Sequence, residues 1–393
     1  MTLDRAINIA DLRRLAKRRL PRMVFDFIEG GCDDEDGLIE NETAFGAYRL
    51  LPRYGVDVSK RNMATQIAGQ SFALPVGFAP TGAAGMFRHD ADRMLARAAA
   101  AANVPFVLSS NSHASIEEAV QAAPDHTWFQ LYGVTNAAVT EDMVRRAADL
   151  GVKTLVLSVD VPVNSNRERN RRNGFSQPLR ITPSMVFEAI THPGWTQDYF
   201  RNGGLPRMGN FVPYAPKDAS ATAVGDLFIS MFPAPALTWS FVERVRRIWP
   251  RKLFIKGIMH PDDALRAAEL GLDGVMVSNH GGRQLDRAPS PLQVLPAIHA
   301  AVSDRMEIAL DGGVRRGSDV VIALCLGARM VFVGRPVLYG VAAAGRDGAK
   351  KAIDIFAQEL AAVLGQMGCA RTADLGPHFL WPPSRTNVAD AHS

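Results

Sequence analysis

The sequence predicts an α/β fold, a (β/α)8 TIM barrel with an N-terminal helical cap and a long insertion after the fourth strand. Three observations predict it. Eight short, continuously apolar runs recur from residue 72 onward. Alanine-rich segments of helical period lie between most of them. Each run ends in polar residues or glycine. Continuously apolar strands alternating with helices mean a parallel sheet covered by helices. Eight such units match the number that closes a barrel. The alternative is an open doubly wound sheet, but its G-x-G-x-x-G fingerprint after the first strand is absent.

The segment before the barrel, about 1–70, is helical. Asn8 caps a helix over 8–20, in which Ile9, Leu12, Leu15 and Ala16 form the apolar stripe and Arg13, Arg14, Lys17 and Arg18 face water. Pro21 follows. "MVFDFIEGG", 23–31, reads as a second short helix stopped by Gly30-Gly31. The strand runs are 74–80, 104–110, 128–133, 154–160, 252–257, 274–279, 307–313 and 330–336. Helices are expected over 90–103, 140–151, 261–271 and 317–327. The barrel then spans about 72–365, in one domain covering 1–393. Between the fourth and fifth runs lie about ninety residues, far more than a connection needs. We read 176–236 as an insertion over the barrel mouth, either a lid or a docking surface. Its stretch 191–216 is rich in Pro, Gly and aromatics and has no clear period.

Composition excludes several classes. The formal net charge is only +4, and bases are interleaved with acids, so no nucleic-acid partner is expected. The three cysteines, Cys32, Cys325 and Cys369, show neither a disulfide framework nor metal-ligand spacing. A reducing, cytoplasmic location and no metal site are expected. The N-terminus lacks the apolar core of a signal peptide, and no run of about 18 apolar residues occurs.

Catalytic groups of such barrels sit at the C-terminal ends of the strands. Here those ends carry Pro80-Thr81-Gly82, Ser109, Gln130 and Tyr132, Ser158 and Asp160, Lys256, then Ser278 and His280 with Arg283 beyond. Strand seven ends in Asp311-Gly312-Gly313 with Arg315 close by, and strand eight in Gly334-Arg335. Polar loops are ordinary, but Gln130, Asp160 and Lys256 lie on or in the strand ends, where burial without a partner is expensive. The glycines at two adjacent strand ends, with Arg315 and Arg335, point to a bound phosphate group.

"SNHGGRQLD" (278–286), together with "LDGGVRRG" and "FVGRP", strongly resembles the FMN-dependent 2-hydroxy acid oxidases and dehydrogenases. That family includes flavin-type lactate dehydrogenases, mandelate dehydrogenases and glycolate oxidases. The resemblance runs from about residue 8 to about 370 and implies FMN as cofactor and a small 2-hydroxy acid as substrate. By the resemblance, His280 is the general base and Asp160 holds its imidazole. Arg283 and Arg167 clamp the substrate carboxylate, and Tyr132 hydrogen-bonds the substrate. Lys256 lies where negative charge develops on the reduced flavin. Pro80, Thr81, Gly82, Ser109, Gln130, Ser158 and Ser278 contact the flavin. Asp311, Gly312, Gly313, Arg315, Gly334 and Arg335 hold its ribityl chain and phosphate. Ser158 stands where the family usually has Thr and keeps the hydroxyl.

Two departures matter. The family carries a tyrosine where Phe27 stands, so one hydrogen bond to the substrate carboxylate is missing, which leaves room for a bulky or aromatic hydroxy acid. Gly82 in place of alanine leans towards the dehydrogenases. The insertion resembles the long loop of membrane-associated bacterial lactate dehydrogenases. Its aromatics, Trp195, Tyr199, Phe200, Phe211, Tyr214, Phe228 and Phe232, are candidates for a membrane interface. The expectation is therefore a cytoplasmic enzyme, peripheral on the inner face of the cell membrane, with a quinone or cytochrome as acceptor. Family analogy adds a homo-tetramer. The alternatives are an oxygen-using oxidase and, from another class, a non-redox FMN-binding isomerase-type barrel. The His–Arg pair argues against the latter.

Overall fold

The structure is a computed structural model and describes residues 1–174 and 183–381. The eight apolar runs form β1 (Val76–Phe78), β2 (Phe106–Ser109), β3 (Thr127–Tyr132), β4 (Thr154–Ser158), β5 (Lys252–Ile258), β6 (Gly274–Val277), β7 (Glu307–Asp311) and β8 (Met330–Val333). Each pairs in parallel with its sequence neighbour, and β8 pairs with β1 to close the barrel. Helices Ala91–Ala101, Ile116–Ala122, Ala137–Asp149, Pro261–Glu269, Pro291–Val302 and Gly317–Cys325 follow their strands on the outside. The fourth unit's helix is Trp239–Ile248, displaced along the chain by the insertion.

Side chains of alternate strand residues point inward. Val107, Trp128, Val156, Phe254, Met276, Ala309, Met330 and Phe332 thereby fill the interior in one buried cluster. Trp128 lies between Phe254 and Phe332, at ring-centroid distances of 5.7 and 5.6 Å. Glycine is needed opposite these rings: a Cβ on Gly274 would meet Phe254 at 2.2 Å, and one on Gly77 would meet Phe332 at 2.6 Å. A hairpin of Thr65–Ile67 and Gln70–Phe72 closes the bottom, adding Ile67 and Phe72 to the same cluster. The barrel is thus plugged with apolar side chains, and polar groups above it stand on a rigid floor.

The N-terminal cap is helical only as far as Ala47, not to about 70 as expected: Arg49–Leu50 pairs with Leu380–Trp381, and Thr65–Ile67 with Gln70–Phe72. Ile9–Arg19 is capped by Asn8, whose side chain accepts from Asp11 N. Arg22–Glu29 ends at Gly30, in extended backbone rather than the left-handed turn usual for a glycine stop. Close approach explains both glycines. A Cβ on Gly30 would lie 2.9 Å from Asp26 O, and one on Gly31 would lie 2.7 Å from Gly282 O. A third helix, Asp36–Thr43, follows. The first helix packs on the long C-terminal helix Arg335–Met367, which is broken at Ala344 and Gly345.

The insertion corrects one expectation. The stretch 191–216 is not aperiodic throughout: Pro193–Arg201 is a helix with proline in its first turn, after another helix, Pro183–Thr191. Helices of nine residues give too few repeats for a period to show, and a proline at N1 starts a helix that it would break elsewhere. A further helix, Ala221–Met231, packs Val224 and Phe228 inward. Residues 175–182 of the insertion lie outside the described residues.

Candidate active site

Strand alternation builds the site in two tiers. Two residues beyond the interior-filling Val107, Trp128, Val156, Phe254, Met276 and Ala309 stand Ser109, Gln130, Ser158, Lys256, Ser278 and Asp311. All six are buried, each at most 9 % exposed. They make a polar floor on top of the apolar plug. Ser109 Oγ donates to Gln130 Oε1 at 2.8 Å, and Lys256 Nζ donates to Ser278 Oγ at 2.9 Å. The ammonium also lies 3.6 Å from Asp311 and 3.9 Å from Asp160. Buried Lys256 thus sits between two carboxylates, which offset part of its desolvation. Gln130 Nε2 and Ser158 Oγ are buried with no partner among the described residues.

The second tier holds Tyr132, Asp160 and His280. After β6 the chain makes three successive left-handed residues: His280, Gly281 and Gly282, at φ 61°, 66° and 71°. This turn swings the imidazole over the floor. Its Nδ1 lies 2.9 Å from Asp160 Oδ2, and its Nε2 lies 3.2 Å from the Tyr132 hydroxyl. Asp160 can stand there because β5 bulges at Gly257: with φ 98°, a Cβ on it would meet Asp160 at 2.4 Å. Burial holds the imidazole below the ordinary histidine range, against the charge of Asp160, which raises it. Burial also pushes Asp160 up, but its neighbours His280 and Lys256 outweigh this and keep the carboxylate low. The pair therefore rests as neutral imidazole beside carboxylate, and Nε2, which faces the Tyr132 hydroxyl, keeps a lone pair able to take a proton.

Arginines close the site from above. Arg283 Nη1 donates to Gly30 O at 2.6 Å, and its guanidinium carbon lies 5.2 Å from the centre of the Phe27 ring. Phe27 in turn contacts Phe87, with centroids 6.1 Å apart. Arg167 Nε donates to Ser165 Oγ at 3.2 Å. Burial, then the charges of Arg167 and Arg335, hold Arg283 well below the usual arginine value. Cations pressed together this way need an anion.

At the other end, Gly312 and Gly313 have φ of 125° and 79°, where side chains are strained. Arg315 Nη2 donates to Glu42 at 2.7 Å. Gly334 precedes the N-terminus of the helix Arg335–Met367, whose free N–H groups suit a phosphate. The Arg335 side chain turns towards the cap, donating to the carbonyls of Ile28, Gly30 and Gly281 at 3.0–3.1 Å. Pro80, Thr81 and Gly82 follow β1, and a Cβ on Gly82 would touch the Asn111 amide at 3.0 Å. Gln130 Nε2, Ser158 Oγ and Asn111 Oδ1, at or just beyond the strand ends, are among the buried polar atoms without a partner among the described residues, and a group rich in nitrogen and oxygen would satisfy them. The residues fit a flavin mononucleotide. Beside Tyr132 and Ser158 lies a cavity of about 280 Å³, walled by Phe232, Leu237, Phe241 and Val242.

The family model for FMN-dependent dehydrogenases matches residues 16–382. The chain belongs to that family. Its relatives include the (S)-mandelate dehydrogenase of Pseudomonas putida, 38% identical over 97% of this chain and 95% of that one. The L-lactate dehydrogenase of Caulobacter vibrioides is 38% identical over 95% and 97%, and the L-lactate oxidase of a Nostoc species 38% over 95% and 98%. The crystal structure of monotopic membrane protein (S)-mandelate dehydrogenase superposes with a TM-score of 0.92 at 38% identity, covering 96% of this chain and all of that one. This member of the family is an FMN-dependent oxidoreductase with the closed eight-stranded barrel of its relatives.

Sequence reasoning gave no role to three asparagines and missed one contact. Asn41 and Asn279 form a reciprocal amide pair under the His280 loop. Asn210, from the insertion, is fully buried and ties the β2 loop through Ser112 Oγ and Ile116 N. The contact is that of Phe27 with the Arg283 guanidinium. None of these pairings leaves a local pattern, because the partners are far apart in the chain.

Proposed function

We propose that the protein oxidises an L-2-hydroxy acid to the 2-oxo acid, with His280 as the base. The Asp160–His280–Tyr132 chain beside Arg167 and Arg283 carries this reading: one arrangement offers a proton acceptor and a carboxylate clamp within a single small space. Ser109, Gln130, Ser158, Lys256 and Ser278 would hold the FMN ring, with Pro80, Thr81 and Gly82 along one edge. Asp311, Gly312, Gly313, Arg315 and Gly334 would hold its ribityl phosphate, with Arg335 behind them. When bound, FMN supplies the two-electron acceptor. The protein does the rest. The guanidinium forks of Arg167 and Arg283 orient the carboxylate. His280 Nε2 receives a proton, from the hydroxyl or from the α-carbon, and in either case Tyr132 donates a hydrogen bond to the hydroxyl oxygen. Asp160 steadies the imidazolium that forms. Lys256 sets positive charge in the polar floor that would hold the FMN ring.

The apolar ring of Phe27, set between Arg283 and Phe87, supports a substrate with an apolar side chain, of the mandelate or longer aliphatic kind. The activities named for the relatives, on mandelate and on L-lactate, support the same class. An anaerobic titration tests it: lactate, mandelate and longer L-2-hydroxy acids are added in turn to the yellow protein. Rapid bleaching by at least one is expected, retained by the wild type and lost in H280N. No bleaching by any of them refutes the substrate class.

A non-oxygen acceptor in a membrane is the reading for the second half-reaction. Among the described residues no helix is long and apolar enough to cross a membrane. Val186, Phe187, Ile190 and Phe200 are exposed on the two consecutive helices of the insertion, Phe187 at 66% and Phe200 at 71%. Exposed apolar side chains of this size suit a lipid surface. They correct the expectation drawn from aromatic residues alone: Phe211 and Phe228 are buried, Trp195 donates to Met86 O, and only Phe200 of the seven is exposed. The monotopic relative supports peripheral attachment. Electron transfer to quinone or cytochrome rather than oxygen is checked by comparing reoxidation rates.

A further inference from the structure

The loop that carries His280 folds on itself only in part. His280 N donates to Ser278 Oγ at 3.0 Å, and Gly282 N donates to Asn279 O at 3.2 Å. Its left-handed histidine costs about 1–2 kcal/mol relative to ordinary backbone, so the turn persists only where its surroundings hold it.

Asn41, on the helix Asp36–Thr43, reaches that loop from 238 residues away. Its Nδ2 donates to Asn279 Oδ1, and Asn279 Nδ2 donates to Asn41 Oδ1, both at 2.8 Å. The two side chains are 1% and 6% exposed. Asn279 Oδ1 also accepts from Gly282 N at 3.1 Å, and its Nδ2 also donates to Pro289 O at 3.2 Å. The amide next to the histidine therefore has two bonds on each end, and half of them come from Asn41. Turning the Asn41 amide over would bring its oxygen to Gly282 N and its nitrogen to Gly37 O, both at 3.2 Å, but would set nitrogen on nitrogen and oxygen on oxygen against Asn279, so the reciprocal pair holds in one orientation. The Asn41 backbone meanwhile rests on the β7 loop: a Cβ on Gly313 would lie 1.8 Å from its carbonyl oxygen. Cys32 N donates to Gly282 O at 3.1 Å and pins the same turn from a second point of the cap.

We infer that Asn41 is a positioning residue for the reaction, holding the His280 turn in place through its reciprocal amide pair with Asn279. The inference rests on His280 being the base. An amide is required at 41. An aliphatic side chain would leave a buried donor and acceptor unmet, and a carboxylate would accept from Asn279 Nδ2 but face Asn279 Oδ1 without a proton.

The test compares FMN-loaded wild type with N41A, N41D, N279A, N41A/N279A and H280N. It reads kcat, KM, the α-deuterium isotope effect on kcat, and the thermal midpoint. A loosened imidazole slows hydrogen abstraction without touching the carboxylate clamp. N41A is expected to lose about tenfold or more in kcat, in line with the penalty for small misplacement of a catalytic group. KM should stay close to wild type, and the isotope effect should rise. N41D should fall between, and N41A/N279A should lose no more than the worse single variant, since both act through one pair. If N41A does not fold, N41D decides, because it keeps the volume and one bond. Unchanged kcat per FMN-loaded molecule with only a lower midpoint overturns the inference, as do losses that multiply in the double variant. H280N separates the two readings. If it keeps substantial activity, the base assignment fails whatever Asn41 does. If it is inactive while N41D is normal, only the positioning role fails.

Discussion

Replacing Asp160 by asparagine is the sharpest perturbation of the proposed chemistry, because it keeps shape and removes charge. In the intact site the carboxylate accepts from His280 Nδ1 at 2.9 Å and lies 3.9 Å from Lys256. Lys256 keeps Asp311 at 3.6 Å after the change, so the floor retains one carboxylate. The imidazole loses its charged partner just when it takes a proton. A hydrogen bond to a charged group is worth about 1.5–3 kcal/mol, against about 0.5–1.5 for a neutral one. The difference, about 1–2 kcal/mol, corresponds to roughly 5- to 30-fold in kcat at about 1.36 kcal/mol per decade. The pH dependence carries the sign. Burial already holds His280 below 6.5, and Asp160 works against burial by raising it. Removing Asp160 therefore lowers the imidazole further, and the acid limb of kcat/KM moves to lower pH. Steady-state rates with an artificial acceptor, measured across pH on wild type and D160N, read both quantities. A kcat within about twofold of wild type, or an acid limb that moves up, refutes the assignment.

Three further outcomes are expected. Phe27→Tyr places a hydroxyl beside the carboxylate clamp and should lower KM for lactate about tenfold or more, at about 1.5–3 kcal/mol for a bond to a charged group; steady-state kinetics on lactate and mandelate check it. Arg315→Ala should weaken FMN binding about tenfold or more, since a charge-assisted contact to phosphate is lost, read by titrating apoprotein with FMN and following fluorescence. Phe187→Ser with Ile190→Ser removes two exposed apolar side chains, each worth about 1.5–3 kcal/mol on full burial, and should move the protein from membrane to soluble fractions with kcat on an artificial acceptor unchanged.

How much of this was legible in the chain depends on which distances the physics spans. The eight strands were legible because burial on both faces makes them continuously apolar, and the polar floor was legible because period two decides which residues follow the interior ones inward. His280, Asp160, Lys256 and Gln130 could be placed at strand ends with no structure in hand. The phosphate end was legible as glycines, but their reason was only partly so. Gly313 is glycine because the carbonyl of Asn41 presses on it, and Gly31 because the carbonyl of Gly282 does. Neither neighbour is near in sequence. The insertion's exposed face was misjudged for the same cause. Aromatic content alone does not say which ring points inward, and the packing of Phe211 edge-on against Phe228, with centroids 5.0 Å apart, decides that for both. The chain by itself thus determined the barrel, its order of strands and the chemical groups at its mouth, since these follow from local period and residue type. Only the tertiary structure decided the left-handed seat of His280, the Asn41–Asn279 clasp beneath it and the stacking of Arg283 on Phe27. The last two join the N-terminal cap to the loop after β6 across 238 and 256 residues, and no local propensity reaches that far.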